Sequence, residues 1–322
     1  MAGAIAGTAI LKIDGKQDLL NTITLTINNE CNMHCSHCYL QYDSIESIID
    51  DNTLDIIFKN KFKHLVIVGK EPLVNNSSIE KLCGIVERCK VKDLTVSFVT
   101  NGLNLSSLPP AIIPLIDYID VSFDGGVLTY EKYRKGNLHK VLDGISFCLT
   151  HGLKEVNALH TVCDRTIENI SDCVNLKEFV PFSTILFTPY LVTQNHGNNQ
   201  VSSIPLFEIV RKFDGNSTFN SVDGTMLLID NYHIEQERIC LAELESELDK
   251  VKCREKYHVI TDDPIMYGII RVTYDGLVLS PRQSLHPSLY HTAQPVSMQN
   301  DLESAFQELR KFEKATRWSL KI

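Results

Sequence analysis

Between residues 21 and 195, short β-branched runs alternate with helix-periodic stretches in six successive units, and this alternation restricts the fold more than any other feature of the chain. A strand, a helix and a second strand can share a sheet only through a crossover, so repeated units dictate parallel strands with right-handed connections. "NTITLTINN" (21–29) alternates as a strand does, and "SIESIIDDNTLDIIFKN" follows with helical spacing and a serine at its start. "KHLVIVGKE" is a continuous apolar run of the kind buried on both faces, "SSIEKLCGIVERCK" reads as a helix and "DLTVSFVTNG" as a strand. "DYIDVSFDGG", "VNALHTVC" and "STILFTPYL" are further strands, separated by the helices "GNLHKVLDGISFCLTHG" and "TIENISDCVNLKEF". The predicted class is α/β, a partial (β/α)6 TIM-like barrel over residues 21–195, preceded by an N-terminal extension over 1–20.

After residue 195 the rhythm changes. A polar loop, "QNHGNNQVSS", leads to the helices "IPLFEIVRKF" and "QERICLAELESELDK", to a hairpin "YGIIRVTYDGLVLSP" turning at Asp275-Gly276, and to a last helix "LESAFQELRKFEKA". Residues 196–322 read as a C-terminal α+β cap on the barrel. With 322 residues, 43% hydrophobic and 22% charged, the chain has ample material for such a core. Its net charge of -9 argues against a sequence-independent grip on nucleic acid or anionic lipid, which needs a basic face. No stretch approaches the ~20 apolar residues of a membrane span, and "MAGAIAGTAILKIDGKQD" lacks the basic start and long apolar run of an export signal. A cytoplasmic location without membrane or nucleic-acid partners is the expectation.

Three of the ten cysteines, Cys31, Cys35 and Cys38, fall within "ECNMHCSHCY" together with His34 and His37. They lie on the loop that leaves the first strand, where parallel sheets place their ligands. The polar neighbours Asn32, His34, Ser36 and His37 speak against plain core packing. Two metal readings stay open on the residues alone: structural zinc completed by a histidine, or an iron-sulfur cluster held by thiolates.

The C-x-x-x-C-x-x-C spacing after the first strand resembles the fingerprint of the radical S-adenosylmethionine (radical SAM) family. In that family three thiolates hold three irons of a 4Fe-4S cluster, and the fourth iron stays open for the amino and carboxylate groups of SAM, which would explain three cysteines and not four. "VGKEP" (68–72) resembles the family's glycine-glycine-glutamate-proline turn, with Gly69 and Glu71 matching and Lys70 replacing the second glycine. By that resemblance these residues take the methionine ammonium. "FVTNG", with Thr100 and Asn101, resembles the strand end beneath the cofactor. "VSFDG" and "YEKYRKG" resemble a segment of the subgroup carrying SPASM or twitch extensions, which implies Ser122 and Arg134 on the SAM carboxylate and Asp124 near ribose or substrate. Leu159 and the strand "ILFTPYL" would supply apolar contacts to adenine, along with backbone groups near His37.

In that subgroup a hairpin reading "DG-x-V-x-P-C" opens a set of cysteines for auxiliary clusters. Here Ser280, Pro281 and Arg282 stand where the cysteine would fall, so one cluster is expected. Cys253, among polar neighbours, is a candidate hydrogen-atom donor to a substrate radical. The resemblance implies reductive cleavage of SAM by an electron donor such as flavodoxin or ferredoxin, and a 5'-deoxyadenosyl radical that abstracts hydrogen from a peptide or small natural product, leading to crosslinking or epimerisation. The substrate would lie under the loop "TQNHGNNQ" and the tail. Two alternatives remain: a radical SAM epimerase, dehydratase or rearrangement enzyme acting on a sugar or other small metabolite, and a non-catalytic zinc-binding α/β protein.

Overall fold

The structure is a computed structural model that describes residues 7–38, 47–126, 129–192, 201–285, 294–295 and 301–319. The six expected strands form: β1 (Thr22–Thr26), β2 (His64–Val68), β3 (Thr95–Thr100), β4 (Tyr118–Ser122), β5 (Val156–Val162) and β6 (Ile185–Pro189). They pair in chain order and all run parallel. The sheet then extends at both edges. β7 (Thr225–Asp230) and β8 (Tyr257–Ile260) continue it beyond β6, while β9 (Ile269–Val272) crosses to the other side and lies parallel to β1. β10 (Leu277–Leu279) returns antiparallel from β9, and β11 (Gln294–Pro295) follows it. The order is β11-β10-β9-β1-β2-β3-β4-β5-β6-β7-β8, with no pairing between β8 and β11 among the described residues, so the barrel is partial. Residues of the predicted cap thus supply strands to the same sheet.

Several elements differ in extent from the sequence reading. The helix expected from "SIESIIDDNTLDIIFKN" begins only at Asp51, because Asp50 is its N-cap and accepts from the Thr53 backbone N–H. Ile48 and Ile49 instead extend beside the exit of β1, where the Ile49 N–H donates to the Ile27 carbonyl at 2.9 Å. "TIENISDCVNLKEF" is broken into the helix Ile170–Val174 between 3-10 turns, and "QERICLAELESELDK" divides into Asn231–Glu237 and Leu241–Leu248. Arg238 makes the second break by adopting left-handed backbone with φ 53°. β7 and β8 were absent from the sequence reading because each is a short apolar run beside a stronger helical pattern.

Alternation along the strands assigns the two faces. Ile23, Leu25 and Ile27 of the first strand region join Phe98, Ile119 and the buried faces of helices Asp51–Lys59, Asn76–Val91 and Leu138–Thr150 in the outer core. Thr22, Thr24 and Thr26 point the other way, into the barrel lumen. The lumen has its own apolar cluster, in which Val66, Val68, Leu186, Leu228, Ile260 and Ile269 close around Ala9 and Ile10. Those last two belong to a 3-10 turn, Gly7–Lys12, so part of the N-terminal extension is lodged inside the barrel. Burying a side chain of this kind contributes ~1.5–3 kcal/mol.

Polar contacts lock the turn. Asp120 of β4 accepts from the Thr8 N–H at 2.7 Å, from the Thr8 hydroxyl at 2.9 Å and from Asn157 Nδ2 at 3.0 Å. Lys12 pairs with Glu155 at 2.7 Å on the rim. Gly7 has φ +55°, and a Cβ there would meet Asp120 Oδ2 at 1.9 Å. Gly7→Ala is therefore expected to dislodge the turn and lower the unfolding free energy by about 2 kcal/mol or more, as read by denaturant unfolding beside a surface control, Gly84→Ala, whose Cβ meets nothing within 4 Å.

Candidate functional site

The exit of β2 is held against those of β1 and β3. The Glu71 N–H donates to the Glu30 carbonyl at 2.8 Å, and Asn28 Nδ2 donates to the Glu71 carbonyl at 2.9 Å. Asn28 approaches so closely that a Cβ on Gly69 would meet its Oδ1 at 2.5 Å, which accounts for glycine there. The Glu71 carboxylate is buried and accepts three hydrogen bonds: from the Leu73 N–H at 3.0 Å, the Thr100 hydroxyl at 2.6 Å and the Asn101 N–H at 2.7 Å. Burial raises its pKa, while these donors oppose the rise.

Asn101 carries the connection to the thiols. Its Nδ2 donates to Asn32 Oδ1 at 2.7 Å and lies 3.9 Å from Cys31 Sγ, which also accepts from the Met33 N–H at 3.4 Å. The Cys35 thiol donates to the Arg134 carbonyl at 3.7 Å, and the Ser36 N–H to the Tyr133 carbonyl at 3.2 Å, so the cysteine loop is seated under the helix Tyr130–Arg134. Burial first, and the Glu71 charge second, push the Cys31 thiol up to about 12.

On the opposite wall Asp124 is 1% exposed and takes three donors. Arg134 binds Oδ2, His37 Nε2 lies 3.0 Å from the same oxygen, and the Thr161 N–H donates to Oδ1 at 2.5 Å. Burial alone would raise this carboxyl, but the facing His37 and Arg134 charges outweigh it and hold the group well below the usual carboxylate range. Arg134 is buried as well, and its Nε has no hydrogen-bond partner.

These residues surround one cavity at the carboxyl rim of the sheet. Cys31, Cys35, Cys38, His37, Gly69, Lys70, Glu71, Thr100, Asn101, Ser122, Asp124, Arg134 and Leu159 all line it. Thr188 and Tyr190 of "ILFTPYL", the strand expected beside adenine, line it as well, and so do Met33, Val68, Val99 and Thr161, which sequence reasoning missed. The signal for Val68 was strand alternation, since it follows Val66 on the lumen face. Cys253 is elsewhere. It precedes β8, at the amino end of a strand parallel to the others, and its thiol donates to the Asn220 carbonyl at 3.7 Å. The span of β8 separates it from the cavity rim, which removes the geometric basis for its expected donor role. The loop "TQNHGNNQ" lies outside the described residues.

Three cysteines of one loop on the wall of one cavity suit a thiolate-held cluster. The sulfurs face a shared cavity, and the N–H of Met33 and the amide of Asn101 already point at Cys31 Sγ, as donors to a ligating sulfur must. The unpartnered Arg134 Nε offers a donor to an anionic group in the same cavity. In the tail, Arg282 replaces the cysteine of the resembling hairpins with ion pairs, to Glu313 at 2.8 Å and to Glu235 at 2.9 Å, while Cys240 is exposed at the start of helix Leu241–Leu248.

A family model described as a 4Fe-4S single cluster domain matches residues 22–140. The chain is 25% identical over 227 residues to a probable GTP 3',8-cyclase of Methanococcus aeolicus, covering 64% of this chain and 74% of the relative. It is 29% identical over 150 residues to a GTP 3',8-cyclase of Alkaliphilus oremlandii, covering 42% and 46%. Among solved structures, Streptococcus suis SuiB bound to the precursor peptide SuiA has a TM-score of 0.63 at 12% identity, over 90% of this chain and 65% of that one. The enzyme anSMEcpe with AdoMet and the Cp18Cys peptide has a TM-score of 0.60 at 17% identity, over 94% and 84%. The chain thus spans under half the length of the Alkaliphilus relative and under two thirds of SuiB; the structural likenesses establish the fold.

Two outcomes follow from the geometry. Because its folded pKa is depressed, Asp124 contributes stability that is present above the unfolded pKa near 4 and lost as pH falls through the folded value. Asp124→Asn should cost about 3 kcal/mol at pH 7 by leaving Arg134 and His37 unbalanced, with the gap to wild type narrowing below pH 4 in denaturant titrations. Cys253→Ala, by contrast, should leave turnover to product within about twofold of wild type; a loss of product with SAM cleavage intact would restore the donor role.

Proposed function

We propose that this chain, which belongs to the radical SAM superfamily and takes a 4Fe-4S cluster and SAM as its cofactors, modifies a peptide or small natural product at a C–H bond. When bound, cluster and SAM together supply a 5'-deoxyadenosyl radical, the agent that removes hydrogen from an unactivated carbon. The observation that carries the reading is the shared cavity, with three thiols on one wall and the exits of β2, β3, β4 and β5 on the others.

Cys31, Cys35 and Cys38 would hold the cluster, and Asn101 and the Met33 N–H would steady the first sulfur. Gly69, Lys70 and Glu71 would take the methionine ammonium, with Glu71 kept in place by Thr100 and Asn101. Arg134, oriented by Asp124, would bind the SAM carboxylate together with Ser122, a task suited to a guanidinium. Leu159, Val68 and Val99 give the cavity an apolar floor that excludes water from the reacting groups. His37 lies beside Asp124, where ribose and adenine would approach.

Support for a peptide substrate comes from the shared architecture with two enzymes whose structures contain peptides, across most of this chain. A nucleotide or sugar-like metabolite is the second reading, favoured by the sequence likeness to GTP 3',8-cyclases. The zinc alternative has no such support. Anaerobic reconstitution should give a brown protein with about four irons per chain that releases 5'-deoxyadenosine from SAM on reduction, and Cys31→Ala, Cys35→Ala and Cys38→Ala should each abolish the colour. A colourless protein binding a single zinc would refute the assignment.

A further inference from the structure

The lumen wall contains a buried cation, Arg271, that no acid among the described residues balances. Arg271 of β9 is 5% exposed. Ile269, two residues before it, packs in the lumen cluster and Ile270 in the outer core, so alternation turns Arg271 inward. Register places it opposite Thr24 of β1, and its Nε–H donates to the Thr26 hydroxyl at 2.8 Å, which draws the guanidinium toward the carboxyl rim. Thr26 pairs in turn with Val68 of β2, a lining residue of the cavity.

Among the described residues nothing pairs with the two terminal nitrogens of Arg271. The other buried arginines are balanced: Arg134 by Asp124, and Arg310 by Asp18. The neighbouring Thr24 hydroxyl is buried and likewise has no hydrogen-bond partner. An unpaired buried charge is strongly destabilising, and in a chain with a net charge of -9 an acidic partner would have been easy to supply. A planar fork of donors with a hydroxyl beside it matches a carboxylate or a phosphate, each of which accepts two parallel N–H bonds.

We propose that Arg271 and Thr24, with Thr26 orienting the guanidinium, form an oxyanion subsite for the substrate, which therefore bears a carboxylate or phosphate group held at the β9 and β1 side of the cavity. This deepens the substrate class and rests on the radical SAM reading of that cavity. The test uses reconstituted holoenzyme with SAM, melted in increasing tripolyphosphate in one series and increasing glutarate in the other. One series should raise the melting temperature saturably; a phosphate response marks a phosphorylated metabolite and a glutarate response an acidic peptide or acid. Arg271→Gln should weaken that anion by about thirtyfold or more. Without anion, Arg271→Met should melt about 2 °C or more above wild type, because it removes an unbalanced charge. A structural arginine would give the opposite sign. An unchanged anion response in Arg271→Gln, no saturable response in either series, or a lower melting temperature for Arg271→Met would each overturn the subsite. Release of 5'-deoxyadenosine from SAM by the wild-type holoenzyme under dithionite reads the radical chemistry separately; its absence would refute the radical reading while leaving the anion result to stand.

Discussion

The carboxylate of Glu71 ties together the exits of three strands. Its backbone bridges to Glu30 and Asn28 beyond β1, and its two oxygens collect the Leu73 N–H, the Thr100 hydroxyl and the Asn101 N–H at the ends of β2 and β3. A buried acid with fewer donors would be expelled or protonated. With three donors it becomes a rigid node, and Asn101, fixed by it, reaches Asn32 and Cys31. The position of the first thiol therefore descends from one side chain on a neighbouring strand. The other end of the cysteine loop rests on Arg134, whose place Asp124 sets.

The lumen is divided between stability and chemistry. Toward the amino end, Ala9 and Ile10 fill the space that an open sheet would otherwise leave wet, and Asp120 clamps the turn that delivers them. Toward the carboxyl end the wall changes to Thr24, Thr26, Arg271, Thr161 and Thr188, groups able to bind a ligand and of little use as core. Dense packing below and polar, incompletely satisfied groups above are what a preorganised site on a stable scaffold requires. The apolar floor of Val68, Val99 and Leu159 belongs to both halves, so the packing of the N-terminal turn bears directly on the shape of the cavity.

Legibility in the sequence followed the strength of local patterns. β1 to β6 were readable because each is a run of β-branched and apolar residues bounded by a polar or glycine-bearing exit, and the hairpin of β9 and β10 was readable from Asp275-Gly276. β7 and β8 were not, since "TMLLID" and "YHVI" owe their extended form to the open edge of β6, which local propensity does not contain. The division of "QERICLAELESELDK" turned on one left-handed residue, Arg238, of a type that rarely adopts it. Cys253 drew attention through its polar neighbours, yet strand direction puts it on the amino rim.

By itself the sequence determined the class of fold, the thiol loop at the end of the first strand, and the residue types that would gather at later strand ends, because parallel β/α units place successive exits on one rim whatever their helices do. Only the tertiary structure decided which groups are spoken for. Glu71 and Asp124 are each engaged by three donors, whereas Arg271 and Thr24 are buried without the partners their chemistry calls for. Partnership of that kind depends on register and on the face a side chain takes, and both arise between strands hundreds of residues apart: Arg271 meets Thr26 across an interval of 245 positions.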